Sequence, residues 1–211
     1  MGLLVDWQIR DLVAAGEMVI EPFTPHPVRE LHPESGDGAS ESGAAAAYRV
    51  VSYGLSSAGY DLRVSDEIYV YDADFAREID VKAFDARALT RLPVHEEAGR
   101  GRFVVFPARA TGLARAYERL RIPRDLLVTC TGKSTYARAG LMVTITPIEP
   151  EWEGYLSFHL HNTLPLPVRV YVEEGIAQLL FNRTDALCAA SYEDKGGKYQ
   201  AQGKGVTTAR V

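Results

Sequence analysis

Apolar residues in this chain come in short runs rather than at helical spacing. Tyr60 to Val64, Ile68 to Tyr71, Phe103 to Phe106 and Leu126 to Cys130 alternate with turn residues. Arg49 to Ser52, Gly112 to Ala116, Leu141 to Ile145, Gly154 to His161, Val168 to Val172 and Ile176 to Phe181 continue the series. Short strands at regular spacing, with little helix between them, predict an all-β fold, a distorted jelly roll or β-sandwich. One short helix is expected at the N-terminus, where Ile9, Leu12 and Val13 share a face, Asp6 caps and Gly16 stops it. Pro22, Pro25, Pro27 and Pro33 predict that the stretch from Val19 to Pro33 runs extended over the surface.

Two polar stretches interrupt this pattern. Residues 34–47 hold glycines, serines, acids and then four alanines, which reads as a flexible insertion rather than a boundary between domains. The tail at 193–211 is glycine-rich and basic, either frayed or a lid that orders on an anion. Residues 1–211 are therefore expected to form a single domain.

Charge narrows the function. A net charge of −5 speaks against a general nucleic-acid binder, which needs surplus cations, but suits a small anionic ligand held by a few local cations. Cys130 and Cys188 make no disulfide framework; Cys130, inside an apolar run, is expected to be a buried small hydrophobe in a reducing compartment. With no signal-peptide pattern and no apolar run of spanning length, the expectation is a cytoplasmic protein without a membrane partner.

The chemistry concentrates at Gly132-Lys133-Ser134-Thr135-Tyr136-Ala137-Arg138-Ala139-Gly140, between two apolar runs. Glycine lets backbone N–H groups approach an anion, Lys133 and Arg138 add positive charge, and Ser134 and Thr135 offer hydroxyls. This is a candidate polyphosphate cradle. It is not a P-loop, because Leu127 stands five residues before Gly132 where that motif has glycine.

Several segments together resemble the dCTP deaminase family, a branch of the trimeric dUTPase superfamily. They are S-S-A-G-Y-D-L-R at 56–63, R-I-P-R-D at 121–125, G-K-S-T-Y-A-R-A-G at 132–140, T-P-I-E-P-E-W-E-G-Y at 146–155, E-G-I-A-Q-L-L-F at 174–181 and S-Y-E-D-K-G-G-K-Y-Q-A-Q at 191–202. The resemblance implies a dUTPase-like protomer in a homotrimer with sites shared between subunits. It implies deamination of dCTP to dUTP and ammonia, with Mg2+ carried on the triphosphate and no zinc. The chain also lacks the H-x-E…P-C-x-x-C layout of zinc deaminases; His32-Pro33-Glu34 has no cysteine pair to complete it. By the same resemblance Lys133, Ser134, Thr135 and Arg138 would hold phosphates, Ser134 and Arg138 helping to place the attacking water. Glu149 would lie near the deoxyribose, and Ser157, Phe158 and His159 would line the base pocket. Gln178, Tyr192, Lys198 and Gln202 would contact the triphosphate and close over it.

One position departs from the family's text. Its catalytic glutamate sits in a strand like T-L-E-F-x-N after W-x-G; with Trp152, Gly154 and Asn162 fixing the register, His159 stands in its place. Strand alternation puts Ser157, His159 and His161 on one face. His159 is then the base of a variant deaminase, or the relic of a lapsed site that binds or hydrolyses another nucleotide, as a dUTPase would. A third reading, a metal held by His159 and His161, lacks a third ligand.

Overall fold

The computed structural model describes residues 2–31, 47–75 and 77–211. Apart from Ala47, the expected insertion at 34–47 lies outside them, as do His32 and Pro33. In chain order the elements are β1 (Gly2–Leu3), α1 (Asp6–Ala14), β2 (Val19–Glu21), β3 (Val28–Leu31), β4 (Tyr48–Leu55), β5 (Tyr60–Tyr71), β6 (Leu89–Arg91) and β7 (Val94–Glu97). They continue with β8 (Gly101–Phe106), β9 (Thr111–Arg121), β10 (Leu126–Gly132), α2 (Ser134–Arg138), β11 (Leu141–Thr144), β12 (Glu153–Asn162), β13 (Val168–Tyr171) and β14 (Gly175–Arg183).

The antiparallel all-β architecture read from the sequence is the one observed. Neighbouring strands run β1-β14-β5-β9-β12-β11, β10 pairs the other side of β14, and β13-β8-β7 form a smaller sheet. The turn expected between Tyr60–Val64 and Ile68–Tyr71 is instead the middle of one strand. β5 pairs β14 through Tyr60 to Arg63 and β9 through Val64 to Val70, with a bulge between Val64 and Ile68. A bulge bends a strand without ending it, so β5 turns the corner from one sheet face to the other. Tyr60, Leu62, Val64 and Ile68 are fully buried along it, beside Phe106, Leu120 and Phe181.

The strands at this corner cross over a buried charge pair. Glu118 on β9 is completely buried and accepts from the Arg63 backbone N–H (3.0 Å) and its Nε (2.7 Å). The Arg63 guanidinium lies 4.7 Å from the Tyr53 ring and 4.4 Å from that of Tyr117. Burial raises the Glu118 pKa, while Arg63 works against that shift. Aromatic faces on both sides hold the cation where the carboxylate needs it.

Three local expectations are corrected. Asp6 is the first helical residue rather than the cap; the cap position is Val5, whose N–H donates to Gln8 Oε1 at 3.0 Å. Gly16 does take the positive φ (+71°) that ends the helix region. The stretch from Val19 is not simply a surface strap: Ile20 is 2% exposed in β2, which pairs β9, and β3 pairs β4. β11 stops at Thr144, ahead of Pro147, which cannot donate to a ladder. Cys130 is buried as expected, and burial pushes its thiol up to about 12.

Candidate active site

β12 is hydrogen-bonded on both sides, to β9 and β11, and its alternation sorts its side chains. Leu156, Phe158, Leu160 and Asn162 are buried, while Ser157 and His159 face a cavity of about 870 Å³. That volume falls in the ~300–1,000 Å³ range of small-molecule sites. Thr144 and Leu113 flank His159 across the strands, and the Tyr71 ring lies 6.3 Å away, tilted by 49°. Neither nitrogen of His159 has a hydrogen-bond partner among the described residues, so both are open to water and ligand. Desolvation, then the nearby His161, lowers its pKa and favours the neutral, proton-accepting imidazole. His161 itself is exposed and turned aside, its Nδ1 2.7 Å from Thr111 Oγ1. Among the described residues no group of three or more His, Cys, Asp and Glu side chains is placed to hold a metal ion.

The tail completes the cavity. Trp152 Nε1 donates to the Tyr199 carbonyl at 2.7 Å, and Tyr155 N–H to that of Gln202 at 2.9 Å. Thr207 N–H donates to Ser157 Oγ at 2.8 Å, so Thr207, Thr208 and Ala209 form a wall opposite β12. Gly154 permits this approach: its φ is +139°, and a Cβ there would stand 2.5 Å from the Gln202 nitrogen. The tail is thus held against β12 by these hydrogen bonds rather than frayed. Its Lys198 and Gln202, with Tyr192 just before it, line the cavity with Glu149, Ser157, Phe158 and His159. Glu149 has Lys195 Nζ at 3.7 Å. Gln202 Oε1 is the one buried side-chain oxygen or nitrogen without a hydrogen-bond partner among the described residues. A buried acceptor is costly to leave unpaired, and a ligand donor can supply what the protein does not.

The remaining expected residues stand elsewhere. Lys133, Ser134, Thr135, Arg138 and Gln178 do not line this cavity. The cradle is one short helical turn, α2, rather than a loop; Ser134, Thr135 and Arg138 are exposed on it, and Tyr136 anchors it by accepting the Tyr171 N–H at 2.9 Å. Arg138 has no ion-pair partner among the described residues. Lys133 is already engaged, its Nζ 2.5 Å from Asp61 Oδ2. Gln178 pairs across β14 with Asp61 and Thr131, and its Nε2 donates to Ser56 Oγ at 3.4 Å, so it belongs with the cradle. The sequence reading did not single out Tyr71, Asp61 or Thr207 to Ala209. Asp61 lay inside a family-like segment; the others carry no motif.

Comparison with known proteins identifies the family. A dCTP deaminase-like family profile matches residues 3–184. The dCTP deaminase of Alcanivorax borkumensis is 43% identical over 199 residues, covering 94% of each chain. That of Chlamydia trachomatis is 44% identical over 207 residues, covering 98% of each. In fold, the crystal structure of 2'-deoxycytidine 5'-triphosphate deaminase from Agrobacterium tumefaciens is similar, with a TM-score of 0.56 at 16% identity over 89% of this chain and 49% of that one. By the profile match and by these full-length relatives, the chain belongs to the dCTP deaminase-like family.

Proposed function

We propose that this chain hydrolyses the 4-amino group of dCTP, giving dUTP and ammonia, with His159 moving the protons. The observation that carries the proposal is the convergence of His159 and Ser157 from β12, Glu149 from the preceding turn, Tyr192, and Lys198 and Gln202 from the tail on one cavity. Water attacks C4 of the base and gives a proton to the neutral imidazole. Both protons of that water end on ring N3 and on the departing ammonia, so the imidazole ferries each in turn and finishes neutral. A carboxylate would do this across two adjacent oxygens; the two imidazole nitrogens diverge, so a single one must swing between water and base. Ser157 and its neighbouring peptide groups read the base edge, and Glu149 takes the deoxyribose hydroxyl. Lys198 and Gln202 meet the triphosphate, whose own oxygens carry magnesium as part of the substrate.

In this proposal the protein is a homotrimer in which Lys133, Ser134, Thr135, Arg138 and Gln178 of one subunit serve the cavity of the next. Their absence from their own chain's cavity supports that arrangement. The test is to incubate the purified protein with dCTP and with dUTP while following ammonia, dUTP and pyrophosphate. Ammonia and dUTP are expected from dCTP. Pyrophosphate without ammonia, or binding without product, overturns deamination. Restoring the carboxylate with His159→Glu is expected to raise the rate by about 10²–10⁴-fold, the usual worth of a well-placed acid–base group.

A further inference from the structure

A second cavity, of about 620 Å³, lies between the β3–β4 pair, the β7–β8 turn, α2 and the start of β14. It shares no wall residue with the cavity around His159. Its rim carries three guanidinium groups from three segments: Arg29 on β3, Arg49 on β4 and Arg100 in the β7–β8 turn. Arg49 has Glu30 at 3.9 Å and Arg100 has Glu97 at 3.2 Å, exposed pairs that are easily exchanged. Arg29 has no ion-pair partner among the described residues.

The deep end is different. Glu174 is only 4% exposed, yet it lines the cavity. Its Oε2 accepts the Val51 N–H at 2.5 Å, while Oε1 has no hydrogen-bond partner among the described residues. An ionised carboxylate can only accept, so the Glu174 oxygen that keeps solvent contact can take donors from an occupant of the cavity. Burial pushes the Glu174 carboxyl up to about 7. An occupant that brings N–H donors to the deep end and negative charge to the rim would satisfy both.

We propose that this cavity binds a guanine nucleotide, with guanine N1–H and its 2-amino group donating to Glu174 and the phosphates meeting Arg29, Arg49 and Arg100. Among the bases guanine alone sets two N–H donors side by side for one carboxylate. Adenine and cytosine place an acceptor beside the amine, and uracil and thymine offer one N–H between two carbonyls. The proposal does not depend on deamination, although Thr135 of the cradle is among the residues that line this cavity.

Calorimetric titration of the full chain with GTP, with ITP (which lacks the 2-amino group) and with inorganic triphosphate tests this. GTP is expected to bind once per chain, with ITP and triphosphate weaker by at least about tenfold, the scale of lost hydrogen bonds to a charged group. Glu174→Gln and Arg29→Ala are each expected to weaken GTP to a similar degree. Arg29 is exposed, so its variant reports even if Glu174→Gln does not fold. Gln202→Ala, in the other cavity, is expected to leave GTP affinity unchanged. Equal affinity for GTP and ITP, triphosphate binding as tight as GTP, no GTP binding, or loss of GTP in Gln202→Ala alone would each overturn the proposal.

Discussion

At the scale of single residues, the proposed chemistry rests on His159, and its surroundings set the pH at which it can act as a base. Desolvation and the neighbouring His161 both favour the neutral ring, so its pKa lies below the ordinary imidazole value. A base that must be neutral to accept a proton loses activity as pH falls through its pKa. The acid limb of kcat/KM should therefore lie below pH ~6.5. His161→Gln removes the nearby positive charge, so the limb should move to higher pH while the plateau rate stays nearly the same. An unmoved limb would mean that His161 does not reach the ring electrostatically. The register that puts His159 at the proposed reacting position was legible in the sequence because of three anchors, and each anchor has a structural task. Asn162, fully buried, donates to the carbonyls of Pro107 and Leu166, both at 2.8 Å; Trp152 and Gly154 receive the tail. What could not be read was Tyr71 beside the imidazole, since an aromatic at the end of a strand has no pattern that distinguishes a site from a core.

At the scale of elements, the sequence named most strands but misjudged where two of them join. Ser65-Asp66-Glu67 looks like a turn, yet Ser65 is 2% exposed and the strand continues through a bulge. Polar residues inside a strand mimic a turn when their partners lie far away in sequence, as the ion pair of Glu67 with Arg115 does. The same corner depends on Arg63: with its removal, Glu118 is left buried and unpaired. Arg63→Ala should cost about 3–5 kcal/mol of stability by denaturant unfolding; a loss under ~1 kcal/mol would mean the carboxyl is neutralised without the arginine. What the sequence could not show of the tail is how closely it approaches β12, which depends on the missing side chain at Gly154. In Gly154→Ala the new Cβ meets the Gln202 backbone, at a φ that alanine resists. The tail should then be released, seen as rapid proteolysis after Lys195 or Lys198 and a higher KM for nucleotide, with the thermal midpoint of the body little changed. A tail as protected as in the wild type would show that the trunk of β12 yields instead.

At the scale of the whole molecule, the expected site residues fall into two groups that one chain does not bring together. Four of the cradle residues sit in and around α2, which leads into the end of β11 that pairs Leu141 with Asn162, while His159 pairs with Thr144 at the other end. Three residues of strand separate those positions, about 10 Å. That sites are shared between subunits was an expectation from the resemblance, but which residues fall in which group was not legible, since both appear as ordinary motifs in family order and separation in space is a property of tertiary and quaternary packing. Around the cradle, Met142 is 53% and Leu166 64% exposed, and Leu164 leans over Gly140, an apolar fringe suited to a second copy of the chain. If each cavity is served by the next subunit's cradle around a closed ring, two inactive variants should rescue one another. His159→Ala lacks the base, and Arg138→Ala lacks the exposed cradle cation. Unfolded together in equal amounts and refolded, they form sites that join an intact cavity to an intact cradle at random. About one site in four should then be complete, giving about a quarter of wild-type activity from two preparations that have almost none. Should the mixture stay as inactive as its parents while refolded wild type recovers, cavity and cradle must be supplied by the same chain, and α2 would have to move to reach it.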